Sequence, residues 1–431
     1  MPSIFEQIID YTNRADPWPL YRELRKTPVL RQADGTYLVS RYRDIVALLH
    51  DPRISSRGPG APGIVRRDPP EHDRMRQILM RHYGPPETPG RIEGMRAGIV
   101  DLVTSLIDRL GGQNQVDLVD EFAYPLPVTV ICQLLGVPLE DEPRFRVWAD
   151  SIVDHVGPAA AEADQARRQR ELDDAFAQIS QYLGTLADAR RQAPGDDLIS
   201  ALVTDDRTWE GMSRAELLAN AATLLLAGHL TTVNLIGNGM LTLLRQPSML
   251  DRLRADPGFA VPVVEELLRY EPPVHFLSRV ALDDVDVAGV TIPADAQIRL
   301  ALAAGNRDPA HVRDPDRFDP GRHDLDQSGG HQSRRGQHLG FGGGIHYCFG
   351  APLARLEGQI ALTGLAQRLD NPRLLADPPP YRLNAILRGP RHLPIGYDRV
   401  RPAQTRLLPA GHRQSGCRAA PSAGPARPGL P

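Results

Sequence analysis

The chain has almost no lysine. Lys26 stands alone among 50 lysines and arginines, so the basic side chains are otherwise arginine. That points to a GC-rich genome and excludes no function. Cysteine is nearly as scarce, with Cys132, Cys348 and Cys417 the three present. An odd, sparse set argues against a disulfide framework and fits a reducing compartment. No apolar run reaches the roughly 18 residues needed to span a bilayer. The start, Met1-Pro2-Ser3-Ile4-Phe5-Glu6, lacks the basic and then apolar pattern of a signal peptide. A net charge of −3 over 431 residues leaves no basic footprint for nucleic acid. These absences predict a cytoplasmic protein with no membrane anchor and no nucleic-acid partner. With 41% hydrophobic residues the chain can bury a large core. Length alone would allow two or three domains.

What is present gathers around one stretch, His338-Leu-Gly-Phe341-Gly342-Gly343-Gly344-Ile345-His346-Tyr347-Cys348-Phe349-Gly350. Glycines crowd one side of a cysteine. A helical pattern follows at once from Ala351, with Pro352 in the first turn, where its missing N–H costs nothing. Glycine lets the backbone approach a ligand closely. Free N–H groups and a helix N-terminus favour a thiolate over a thiol, and a thiolate suits a soft or borderline metal. Two blander readings stand beside this one. A lone cysteine is often a small buried hydrophobe next to a turn. His346 and Cys348 could also start a zinc site, although no second ligand pair follows at finger or ribbon spacing.

The remaining pattern is mostly helical. Asp16–Lys26, Arg41–His50, Ile92–Leu110, Leu126–Leu135 and Ala159–Arg191 read as helices, and Val29–Arg31 with Thr36–Val39 as a hairpin. His72 and Arg76 are spaced i, i+4 on one helix face, by default a solvated polar face. Ser213-Arg214-Ala215-Glu216 is a capping box. It opens a helix to about Arg245 with Ala227-Gly228-His229-Leu230-Thr231-Thr232 at its middle. A threonine there can simply bond back to its own turn. Val261–Tyr270 is a helix carrying Glu266 and Arg269, and Val274–Leu302 reads as short strands.

Phe341-Gly-x-Gly-x-His346-x-Cys348-x-Gly350, followed by Ala354-Arg355-x-Glu357, resembles the haem-binding signature of the cytochrome P-450 family. The likeness extends over residues 10–398. It implies a mostly α fold with a small β region enclosing haem b (iron protoporphyrin IX), in one haem-thiolate monooxygenase domain over residues 1–400. In that family the cysteine thiolate is the proximal ligand of the haem iron, so the resemblance makes Cys348 the metal ligand. It implies propionate contacts from His72, Arg76, Arg279 and His346. It makes Thr231 the catalytic residue that manages oxygen and protons. Glu266, Arg269 and Arg317 become a buried structural network, and His338 and His229 structural side chains. The activity implied is insertion of one oxygen atom from O2 into a hydrophobic small molecule, by hydroxylation or epoxidation in secondary metabolism. Electrons would come from NAD(P)H through ferredoxin reductase and ferredoxin.

The chain departs from the family pattern in several places. Leu230 stands where the family has Asp or Glu, so protons must come from water held by Thr231 and Thr232, from Asn234, or from the substrate. The Ser55–Arg67 segment gives a short roof to the pocket, and Gly84–Gly90 is a strong break. Residues 323–337 read as an inserted polar loop near the face where electron donors dock. Residues 401–431, rich in Pro, Gly, Ala and Arg, read as a disordered tail that carries Cys417. Leu230 motivates a peroxide-driven haem-thiolate enzyme as one alternative. The short roof, loop and tail motivate a non-catalytic haem or ligand-binding protein as another.

Overall fold

The computed structural model describes residues 2–58, 63–84, 90–145, 147–148, 162–322 and 338–403. The expected inserted loop at 323–337 lies outside the described residues. So do Cys417 and the tail from 404, parts of the Ser55–Arg67 and Gly84–Gly90 segments, and the first residues of the Ala159–Arg191 stretch.

Helices dominate. The principal ones are α1 (Tyr42–His50), α2 (Glu71–Tyr83), α3 (Arg96–Arg109), α4 (Pro125–Leu135), α5 (Glu162–Gln192), α6 (Arg214–Leu244), α7 (Ala260–Tyr270) and α8 (Ala351–Arg368). The strands β1 (Val29–Arg31), β2 (Tyr37–Val39), β3 (Ile54–Ser55), β4 (Phe276–Ala281) and β5 (Gln297–Ala301) form one sheet in the order β1-β2-β5-β4-β3. Its pairs are antiparallel except β2 with β5. Gly35, at φ 83°, turns the β1–β2 hairpin. The expectation of a mostly α fold with a small β region holds.

Helix α6 is the axis of the molecule. Its capping box forms as the sequence predicts: the Glu216 N–H donates to Ser213 Oγ at 3.2 Å, and the Ser213 N–H donates to the Glu216 carboxylate at 2.8 Å. With 31 residues the helix runs about 46 Å. By length and mean hydropathy alone it is the one described helix that could cross a membrane. However, 72% of its most apolar window is buried inside the fold. Helices α4, α5 and α8 pack around it.

A buried ion network ties α7 to the chain that follows the sheet. Arg269, fully buried, donates to both carboxylate oxygens of Glu266 at 2.8 Å. The expected third member, Arg317, is not in the network. Its side chain is 68% exposed and comes only to 3.9 Å from Asp319. Arg322 takes that place, with Nε 3.1 Å from both Glu266 oxygens. The chain turns at Asp314, φ 45°, so that Arg317 offers its carbonyl to Arg269 and Arg322. A buried carboxylate needs its donors close, and the turn delivers the arginine five positions later.

Candidate active site

The cysteine loop is shaped by glycine and anchored by ion pairs. Gly344 has φ +65°, and a Cβ there would lie 1.9 Å from the Leu49 carbonyl oxygen. Only glycine fits that close approach to the end of α1. The Cys348 N–H donates to Phe341 O at 3.0 Å, closing the loop. Beneath it, Glu265 on α7 accepts from Arg355 at 2.6 and 3.0 Å and lies 3.2 Å from His338 Nε2. Burial alone would push the Glu265 carboxyl up, but the hydrogen bonds from His338 and Arg355 bring it down to about 2. Arg355 also donates to Tyr347 Oη at 3.1 Å. These contacts lock the loop to α7 and α8, and give His338 the structural place expected of it.

Cys348 is half-buried, and its sulfur accepts from the Gly350 and Ala351 N–H groups at the start of α8. The expected preference for thiolate is not met by the chain alone. Burial pushes the thiol up, outweighing those donors and the nearby Arg355 and Arg76. A bound metal cation would reverse that balance.

The four residues expected at the propionates converge. His72 is buried on α2, its Nδ1 2.8 Å from Asp73, and its ring meets that of His346 at 4.5 Å. His346 Nε2 lies 2.8 Å from Ser56 Oγ. Burial first, then His72 and Arg279, lower His346 to about 4. Arg76 donates to Tyr347 O at 3.2 Å, and Arg279 to Ser278 O at 2.8 Å. Sequence reasoning missed Asp68. It is buried near the lip of this cluster, accepting from Ser55 Oγ at 2.5 Å, from the Ser56 N–H at 3.1 Å, and facing Arg57 at 3.1 Å. It also missed Ser56. No local pattern marks either residue, because their partners are brought by β3 and the cysteine loop.

Across the site runs the middle of α6. Ala227 is exposed although most of this helix is buried, and Gly228 sits against Ile131 of α4, its Cβ position 3.1 Å from Cδ1. Thr231 Oγ donates to Ala227 O at 2.7 Å, so the bond to its own turn does form. Leu230 is 1% exposed and belongs to the core. His229 is buried with its ring 4.6 Å from that of Tyr124, a packing position. Cys132 is a core residue of α4.

A family model described as Cytochrome P450 matches residues 41–257 and 259–391. The chain belongs to the cytochrome P450 family. It is 39% identical over 420 residues to the cytochrome P450 monooxygenase PikC of Streptomyces venezuelae, covering 91% of this chain and 94% of that protein. It is 36% identical over 413 residues to 6-deoxyerythronolide B hydroxylase of Saccharopolyspora erythraea, covering 89% and 96%. The ligand-free crystal structure of Mycobacterium smegmatis CYP164A2 superposes with a TM-score of 0.81 at 36% identity, covering 91% of this chain and 99% of that one. As a P450, the chain is a haem-dependent monooxygenase that inserts one oxygen atom from O2 into a hydrophobic small molecule.

The residues present fit haem. Arg76, Arg279, His72 and His346 gather beside the cysteine, and the acids that meet them are Asp73, against His72 and near Arg76, and Asp68, already engaged by Ser55, Ser56 and Arg57. The buried His72 Nε2 has no partner among the described residues. Two carboxylates would answer this surplus of donors, and haem b carries two propionates.

Proposed function

We propose that this P450 holds haem b with Cys348 as the iron ligand and with His72, Arg76, Arg279 and His346 at the propionates. The observation that carries this reading is the surplus of cationic and imidazole donors gathered beside a cysteine whose sulfur accepts from two N–H groups. Haem, when bound, supplies the iron at which O2 is activated. The chain's residues do the rest. The Gly350 and Ala351 N–H groups, with Arg355 and Arg76, stabilise negative charge on Cys348 Sγ. As a thiolate, Cys348 would be the residue that donates electron density to the metal. Ala227 leaves the face of α6 bare for oxygen and substrate. Thr231 holds water there and passes protons, its hydroxyl steadied by Ala227 O.

The substrate class is a hydrophobic natural product, as the name 6-deoxyerythronolide B hydroxylase suggests for one relative. Electrons come from NAD(P)H through a ferredoxin reductase and a ferredoxin in the cytoplasm. The test is reconstitution with that electron chain and a panel of hydrophobic metabolites that shift the haem spin state. A product one oxygen atom heavier, labelled from 18O2, is expected. Spin-shifting ligands that are never oxidised would contradict the reading. Leu230 supports a second reading, in which peroxide replaces oxygen and reductase; turnover with peroxide alone would favour it.

A further inference from the structure

The roof segment has its two feet together. Asp68 accepts from Ser55 Oγ at 2.5 Å and from the Ser56 N–H at 3.1 Å. Ser56 Oγ lies 2.8 Å from His346 Nε2, so both feet stand at the propionate cluster. The far part of the segment, the 3₁₀ turn Ile64–Arg66, rests on α6. There the Ile64 N–H donates to Asn220 Oδ1 at 2.7 Å. Gly63 lies close against the same helix: a Cβ there would come 3.0 Å from Thr223 Oγ1 and 3.4 Å from Ala219 O. Ile64 is buried, and Val65 beside it is 50% exposed.

Asn220 is 1% exposed, and both ends of its amide are engaged. Oδ1 takes the roof N–H, while Nδ2 lies 3.4 Å from Met75 Sδ and 3.8 Å from Met212 Sδ. Met75 is fully buried on α2, between His72 and Arg76. Arg74 of α2 adds a second tie to α6, donating to Glu216 at 2.6 Å. A buried amide costs free energy unless it is hydrogen-bonded, and a thioether is only a weak acceptor. The strong bond that Asn220 makes is therefore the one to the roof. At 3.6 residues per turn, positions 220, 227 and 231 share one face of α6. The turn is thus pinned about 10 Å along that face from Ala227, at 1.5 Å per residue.

We propose that Asn220 is a specificity-determining residue of this P450: by holding the Ile64–Arg66 turn on the Ala227 face of α6, it sets how closely the roof closes over the far end of an apolar substrate. This rests on the haem-thiolate reading above. Asn220 is a positioning residue, because its amide is engaged by protein and acts on the substrate only through the roof. The substrate it favours is an elongated apolar molecule, whose near end lies at the oxygen site and whose far end reaches the turn. Such a molecule loses water from its far end only while the turn stays on the helix.

The test uses azoles, whose ring nitrogen binds haem iron whatever the native substrate is. Imidazole stays at the iron, and 1-dodecylimidazole carries an alkyl chain that reaches the turn. In the haem-loaded wild type the chain should tighten binding, read as the ratio of the two dissociation constants in optical titrations. Asn220→Leu removes the acceptor at similar shape. It should lower that ratio about tenfold, the weight of one buried hydrogen bond, with imidazole bound as before. Asn220→Asp keeps an oxygen for the Ile64 N–H and should keep most of the ratio. General loosening of the fold would weaken imidazole too and leave the ratio unmoved. A chain that adds nothing in the wild type, a ratio unchanged in Asn220→Leu, or one lowered equally in Asn220→Asp would overturn the proposal. Should Asn220→Leu not fold, Ile64→Pro removes the same N–H at the first position of the turn, where proline is tolerated, and the same fall in ratio is expected. A wild type without the thiolate–CO band would instead overturn the haem-thiolate reading.

Discussion

Arg322 Nε sits 3.1 Å from both carboxylate oxygens of Glu266, five positions beyond the arginine that the sequence pattern points to. The Arg322 and Glu266 side chains are 5% and 1% exposed. Removing one partner of such a pair strands the other charge in the core, at a cost of about 3–5 kcal/mol. Arg322→Ala should therefore lower stability to denaturant by that order and reduce haem content. Arg317→Ala, on an exposed side chain, should change stability by no more than about 0.5 kcal/mol. The reverse ranking in urea unfolding would contradict the network.

Glu265 holds the cysteine loop to α7. Its folded-state carboxyl lies at about 2, below the ordinary 4.5. The group therefore adds stability that is fully present above the ordinary value and is lost as pH falls through about 2. The size is roughly 3 kcal/mol. Stability measured from pH 7 downward should fall in the wild type across this window. Glu265→Gln should be destabilised at neutral pH and show a shallower acid limb. Parallel acid limbs would show that the carboxylate contributes nothing.

Gly344 leaves no room for a side chain. Gly344→Ala would force a left-handed alanine, costing about 1–2 kcal/mol, and drive its Cβ into Leu49 O. The expected outcome is folded protein, by far-ultraviolet circular dichroism, with little bound haem. Full haem content in this variant would show that the loop need not hold its observed path.

Leu230→Glu should raise product per NAD(P)H if proton supply limits coupling, by a factor of a few. The new carboxyl enters a helix position that is 1% exposed, so the gain must exceed a burial cost. Equal or lower yield, with the haem spectrum intact, would show that the water route already suffices.

Local chemistry made much of this readable in advance. The Ser213–Glu216 cap, the hairpin of Val29–Arg31 with the strand ending at Val39, and the proline-opened helix after Cys348 are short-range devices, and each formed where the sequence places it. His72, Arg76, Arg279 and His346 do gather in space. Three things were hidden. Arg322 replaces Arg317, whose carbonyl rather than its side chain meets Arg269 and Arg322, a tertiary placement that no spacing in the sequence records. Asp68 and Ser56 gain their partners from strand pairing and from the cysteine loop, which no spacing rule records. The Cys348 thiol is pushed up because burial, a tertiary quantity, outweighs the N–H donors that the glycine pattern announces.

The central claim is that Cys348 is a thiolate on haem iron. The optical spectrum of the purified protein, reduced and exposed to carbon monoxide, tests it beside Cys348→Ser. A strongly red-shifted Soret band in the wild type, absent from the variant, is the result expected. A wild type that binds haem without that band, or a band that survives in Cys348→Ser, would contradict the account.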